Sequence, residues 1–163
     1  MRAQDQAAGG ATYLTYLVAG TINGSIRTDG APDAPPAWDE RVQALLGAAL
    51  EVHAQLGPGY QEQVYQEALA LEFTLRGIPY VREAFVPVTY KGKRLAFSFR
   101  ADLICFGQVV VELKTVRALT AKDDDQLRSY LNASGHVRGI LLNFGQRRLQ
   151  FKRIAVETVL TTS

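Results

Sequence analysis

Cysteine is almost missing from this sequence. With Cys105 alone, an intrachain disulfide and a cysteine-built zinc site are both excluded. The residue is expected to serve as a small apolar core side chain. Histidine is scarce too, with only His53 and His136, and the sequence shows no His-Asp metal cluster. There is no glycine-rich phosphate loop either, which weighs against hydrolases of other phosphate esters. No apolar run approaches the ~18 residues that a membrane-crossing helix needs. The segment "TYLTYLVAG" (12–20) makes a poor signal peptide, having one distant arginine before it and a polar stretch behind it. A cytoplasmic protein with no membrane partner is the expectation.

What remains is a chain of 163 residues, long enough for one domain with a proper core. Its charge is unevenly spread. Residues 1–40 carry two basic side chains against five acidic ones, and the rest carries sixteen against eleven. A mildly basic body permits an anionic partner such as nucleic acid without demanding one. Residues 1–37, rich in small residues and ending in "DGAPDAPPAW", read as an N-terminal extension unsuited to helix or central strand, with disorder or a misassigned start the expected explanation. The folded domain is expected over 38–163.

Periodicity then sets the element order. Asp39 is the expected N-cap of a first helix, in which Val42, Leu45, Leu46, Ala49, Val52 and Leu56 recur at helical spacing. "GPG" at 57–59 breaks it, and a second helix runs to Gly77, an apt C′ glycine. The pattern then alternates through "IPYVREAFVPVTY", "KRLAFSFRADLICF" and "VVVELKTV", three strands joined by turns at Lys91-Gly92 and Gly107-Gln108. "AKDDDQLRSYLNASG" reads as a helix with acids at its N-terminal end. "VRGILLNF" and "RRLQFKRI" read as two last strands. The order α-α-β-β-β-α-β-β implies an α/β domain with a mixed sheet flanked by helices, a crossover bringing the fourth of these strands beside the third.

The third strand holds a conflict. "QVVVELKTV" (108–116) is apolar enough to be buried, yet Glu112 and Lys114 sit in it, two residues apart and therefore on one face. If a three-residue loop sets Cys105 against Val109, Asp102 stands directly opposite Glu112. A two-residue loop would instead turn Asp102 to the far face. Two carboxylates at cross-strand distance repel by about 3 kcal/mol at an effective dielectric of ~20. A divalent cation resolves that repulsion, and hard oxygen ligands suit Mg²⁺ or Mn²⁺. The Leu113 carbonyl is a further candidate ligand. Lys114 can orient or deprotonate an attacking water, or neutralise charge on a phosphate. Taken without further context, a Glu-x-Lys on a strand is more often a solvated surface pair.

An aspartate closing one strand followed by Glu-x-Lys on the next, in this element order, resembles the PD-(D/E)xK nuclease superfamily with its restriction-endonuclease-like core. More narrowly, "LGPGYQEQVYQEAL", "FRADLICFGQVVVELKTV", "DQLRSYL" and "GILLNFG" resemble the GxxExxY protein family, whose name-giving motif here is Gly59, Glu62 and Tyr65. The resemblance spans about residues 40–154. It implies that Asp102 and Glu112 bind metal, that Lys114 is catalytic, and that Glu62 joins the metal site from the second helix. It also implies roles for Gln126 and Tyr130 on one helix face, touching substrate or steadying the lysine. His53 matches a metal ligand of some relatives, although a satisfied histidine near a helix end is the plainer reading. The "PD" position reads Ala101-Asp102. Tyr65 is expected to pack beneath the site.

Phosphate contacts are expected from a positive surface. Arg100, sharing its strand face with Asp102, is the first choice and Arg117 the second. Lys122, Arg128 and the cluster Arg147, Arg148, Lys152 and Arg153 follow. The function expected is a Mg²⁺- or Mn²⁺-dependent nuclease, acting on DNA rather than RNA. The alternative is a nuclease-fold nucleic-acid-binding or scaffold protein without turnover. A homodimer or a further protein partner is compatible with either.

Overall fold

The computed structural model describes residues 20–23, 36–136 and 138–156, with backbone alone at 20–23 and 36–39. Two helices open the chain: α1, Pro36–Leu56, and α2, Glu62–Arg76. The first begins three residues before Asp39, because a proline in the first helical turn has no N–H to lose and a φ already suited to the helix. "GPG" ends it as expected, with Gly57 and Gly59 both at positive φ (66° and 114°). Gly77 closes α2 in the left-handed region (φ 68°), and the N–H of Ile78 reaches back to the Phe73 carbonyl at 2.9 Å.

The strands are β1, Gly20–Asn23; β2, Tyr80–Tyr90; β3, Lys93–Cys105; β4, Val109–Lys114; β5, Arg138–Asn143; and β6, Gln150–Ala155. A third helix, α3, spans Ala121–Ser134 between β4 and β5. Together the strands form one six-stranded mixed sheet in the order β1-β6-β5-β4-β3-β2. β4 and β5 are parallel, α3 being the crossover, and every other neighbouring pair is antiparallel. Strand β1 falls inside the stretch that composition marks as an extension. It pairs Gly20 with Ala155 and Asn23 with Lys152 along the edge of β6. The Tyr13–Val18 patch lies outside the described residues.

Two apolar layers hold the sheet. On one face α1 and α2 pack over Leu103, Cys105, Val109, Val111, Leu113, Ile140 and Leu142. On the other, Leu127, Tyr130 and Leu131 of α3 cover Val86, Ala101, Val110, Leu141 and Ile154. Alternation along β4 thus assigns Val111 and Leu113 to the α1/α2 face and Val110 to the α3 face. Glu112 and Lys114, in phase with Val110, follow it to the α3 side. Among the described residues, no helix is long and apolar enough to cross a membrane.

Candidate active site

The site grows out of a hairpin register. Phe106 and Gly107 adopt positive φ (55° and 67°) in a three-residue loop, and Gln108 N–H closes it on the Cys105 carbonyl at 3.0 Å. Cys105 therefore faces Val109, Ile104 faces Val110 and Leu103 faces Val111. The odd loop length that puts Asp102 opposite Glu112 is the one present.

Beyond Leu103 and Val111 the regular ladder stops, and side chains take over its hydrogen bonds. Asp102 N–H donates to Glu112 Oε1 at 3.0 Å, and Leu113 N–H donates to Asp102 Oδ2 at 2.8 Å. The strands are thereby wedged apart by the two carboxyl groups they present. Each group keeps one oxygen free of these backbone contacts. On its other side Asp102 faces an irregularity in β2, where Glu83 has φ 48° and makes no ladder pair. The second helix steadies this break: Gln66 Nε2 donates to the Asp102 carbonyl at 3.3 Å, while Arg82 bonds both Gln66 and Glu67.

Electrostatics mark Glu112 as the tensest group. It is 4% exposed. Burial first, then the charge of Asp102, pushes its carboxyl up to about 9, against the opposing pull of the Asp102 N–H and of Lys114. Glu62, the first residue of α2, feels the same field: partial burial and Asp102 raise it, and Lys114 lowers it. Tyr130 is raised by burial and then by Glu112, with a smaller contribution from Asp102. Those couplings draw Glu62, Asp102, Glu112, Lys114 and Tyr130 into one neighbourhood.

Helix α3 completes it. Lys114 Nζ donates to Gln126 Oε1 at 2.7 Å and lies 3.7 Å from Asp123 Oδ1. Gln126 Nε2 in turn donates to the Tyr130 hydroxyl at 3.2 Å. The four-residue spacing of Gln126 and Tyr130 therefore steadies the lysine. The helix start is built by Thr120, whose N–H reaches Asp123 Oδ2 at 2.9 Å, a cap one turn earlier than the acidic run suggests.

The loop from β4 to α3 is pinned from below. Asn143, fully buried, accepts from the N–H of Val116 and of Gly145 at 3.0 Å each, and donates to the Val116 carbonyl at 2.9 Å. Gly145 is required there, since a Cβ would lie 2.6 Å from that carbonyl oxygen. Sequence reading missed Asn143 and Gln66 as supports. The available signal was a polar residue ending the apolar run "GILLN", and Gln66 one helical turn after Glu62.

Some expected residues are placed elsewhere. His53 is buried on the α1/α2 side, its Nε2 2.8 Å from the Gln146 carbonyl and its ring stacked on Phe144 at 6.1 Å. It is a satisfied core histidine. Arg100 pairs with Glu83 and lies over the Phe85 ring. Its expected face is corrected by the irregularity at Asp102: Phe99 and Ala101 pack on the α3 side, whereas Leu103 beyond the break packs on the opposite side. Leu113 gives its N–H to Asp102 Oδ2, a bond that engages the amide and not the carbonyl expected as a ligand. Arg117 is exposed in the β4–α3 loop, with its carbonyl accepting from Gln146 Nε2. In the basic cluster near the end, Lys152 pairs with Asp124 at 3.2 Å and Arg153 is buried, leaving Arg147 and Arg148 exposed.

Tyr65 explains the rest of the motif. Fully buried and stacked on Phe144 at 4.6 Å, it donates its hydroxyl hydrogen to the Gly57 carbonyl and accepts from Tyr60 N–H. The tyrosine so fixes the Gly-Pro-Gly turn and, through it, where α2 begins and Glu62 stands.

Hard oxygen donors fit a divalent cation in kind. In the Asp102–Glu112 pair the side chains share a hydrogen bond, and Glu112 keeps its proton far above the usual carboxylate range, a proton that a bound cation would displace. Among the described residues, however, no three Asp, Glu, His or Cys side chains gather as a ready-made metal cluster. Glu62 stands near enough to sense Asp102 without joining it.

No curated protein matches the chain. Among solved structures, it is similar to the crystal structure of SSO0001, at 20% identity and a TM-score of 0.43. The match covers 72% of this chain and 66% of that one, slightly under two thirds of its length. A family model described as the PD-(D/E)XK nuclease superfamily matches residues 39–154, a span that contains α2, the carboxylate pair, Lys114 and α3. The chain belongs to the PD-(D/E)XK nuclease superfamily.

Proposed function

We propose that the protein is a divalent-metal-dependent nuclease that hydrolyses phosphodiester bonds, with DNA as its substrate, and that within the superfamily it belongs to the GxxExxY group. One observation carries the reading: Glu112 is held buried against Asp102, at an electrostatic cost, with Lys114 on the same strand face. A buried acid pair contributes little to stability on its own account and is retained where it has work to do.

In this reading Asp102 and Glu112 would hold Mg²⁺ or Mn²⁺ through their free oxygens, with Glu62 contributing through water. The bound cation supplies Lewis-acid stabilisation of charge on the phosphate and makes water a better nucleophile. The chain's own groups do the positioning. Asp102 and Glu112 are locked by the backbone N–H groups they accept, so they need no reorganisation during the reaction. Lys114, aimed by Gln126, orients water or offsets charge developing on the phosphate. Tyr130 holds Gln126 and closes the site against α3. His53 has no part in it.

The test is cleavage of labelled linear, circular and single-stranded DNA with Mg²⁺, Mn²⁺ or EDTA, comparing wild type with Asp102→Asn. Metal-dependent cutting that disappears in the variant is expected. A folded wild type that cuts nothing at any metal concentration overturns the reading. The scattered third ligand favours a second reading, a nucleic-acid-binding protein without turnover. It predicts saturable DNA binding that weakens with salt and no product.

A further inference from the structure

The outer part of the β2–β3 hairpin has no role in the site as described. It projects from the body: residues 89–97 are all exposed. From Ala84 to Arg100 the chain carries Lys91, Lys93, Arg94 and Arg100 and no acidic residue. Two of its aromatic side chains are exposed as well, Phe97 at 59% and Tyr90 at 63%, the latter with Lys91 Nζ 5.5 Å over its ring.

One of these rings is connected to the site. Phe97 meets Phe99 edge-to-face at 5.2 Å, and Phe99 packs on Tyr130 at 4.6 Å. Tyr130 holds Gln126, and Gln126 holds Lys114. An aromatic row therefore leads from the lysine outward to an exposed phenyl ring on a cationic arm.

We propose that this arm binds an unpaired strand of nucleic acid as it leaves the site, Phe97 stacking on a base and Lys93 and Arg94 holding phosphates. The inference rests on the reading of the site given above. A base within a duplex is already stacked on both faces and offers such a ring nothing. An unstacked base offers a π-face whatever its identity, and stacking of this kind is worth about 1–3 kcal/mol per base. Cations alone would serve a duplex backbone; cations alternating with bare aromatics suit single strands. A second copy of the chain is a poor occupant. Its arm would bring Lys91, Lys93 and Arg94 against the same three cations here, and Pro87 removes a hydrogen-bond donor from the edge strand β2.

Binding is measured by anisotropy of a labelled oligo-dT of about 20 nucleotides, and of a duplex of similar length, with the full chain in EDTA so that metal-dependent cutting does not intervene. Phe97→Ala, a change at an exposed position, is expected to weaken oligo-dT binding about tenfold while shifting duplex binding less than about twofold. Lys93→Gln combined with Arg94→Gln is expected to flatten the salt dependence of single-strand binding by about 1.4 in log–log slope. Unchanged oligo-dT binding by Phe97→Ala overturns the proposal, as does an equal loss on duplex or a wild type with no single-strand binding. Loss of self-association in Phe97→Ala with oligo-dT binding intact also overturns it, in favour of a second copy. Phe97-dependent binding by a protein that never cuts upholds the arm and overturns the nuclease reading alone.

Discussion

The two faces of the central sheet are built by different rules, although they share the same strands. On the α1/α2 face every inward side chain of β4 is apolar, and the polar atoms nearby, on Tyr65 and His53, are bonded to backbone carbonyls. On the α3 face the same strand starts with Val110 and ends in Glu112 and Lys114, with Gln126 and Tyr130 above them. One face holds the strand still; the other uses that stillness to keep two carboxylates in forced proximity. A period of two residues is what allows neighbours in sequence to do such different things.

Neighbouring substitutions separate the two rules. Lys114→Ala removes a partly exposed cation from the α3 face. It is expected to lower cleavage about 10³-fold with little change in thermal stability, measured by single-turnover kinetics beside a melting curve. Equal activity in a folded variant would remove the lysine from the chemistry. Leu113→Ala, one residue away and 1% exposed, should do the reverse. A cavity among Leu103, Val111 and Leu142 is expected to cost about 3–4 kcal/mol in urea unfolding. A small loss there would mean that this face tolerates slack, and the contrast between the faces would fail.

The carboxylate pair gives a pH test of the same contrast. The Glu112 carboxyl is raised from 4.5 to about 9 in the folded protein, so the folded state holds its proton more tightly than the unfolded chain does. In EDTA, the contribution of Glu112 to stability is then highest below about pH 4.5 and falls as pH rises toward 9. Glu112→Gln removes that penalty and is expected to stabilise the metal-free protein by on the order of 2–3 kcal/mol at pH 7, while abolishing cleavage. The check is thermal unfolding across the window in EDTA. A wild-type curve no steeper than the variant's would show that the folded protein does not hold the Glu112 proton more tightly than the unfolded chain does.

What the sequence could show follows from range. The α-α-β-β-β-α-β-β order, the crossover and the Asp102–Glu112 register rest on local period and on one loop, and those survive in the structure. The facing of Arg100 does not, because it assumes unbroken alternation through Asp102, and the break there depends on Glu83 across the sheet. Asn143 and Gln66 act through hydrogen bonds to residues 27 and 36 positions away, contacts that no local pattern encodes. Likewise β1 pairs with β6 from the far end of the chain. Pattern also left His53 open between ligand and core, and its bond to the Gln146 carbonyl decides for the core.

Gln126 tests how much of the α3 face is positioning. Its Oε1 accepts from Lys114 Nζ at 2.7 Å and its Nε2 donates to Tyr130, so Gln126→Ala frees the lysine without touching a carboxylate. Asp123, 3.7 Å from the ammonium, would then be its remaining partner, and the side chain would swing toward the start of α3 and away from the acid pair. Loss of one hydrogen bond to a charged group is worth about 1.5–3 kcal/mol when the group has no alternative. With Asp123 waiting, the expected loss is nearer the low end, about tenfold in the rate of cleavage with substrate binding unchanged. Gln126→Glu distinguishes aim from charge, since it keeps an acceptor at the same reach and adds an anion beside the pair. If it restores the rate, an acceptor at that position is all that Lys114 needs. A larger loss than in Gln126→Ala means that the α3 face works only while its sole negative charges are the two carboxylates and the acids at its rim.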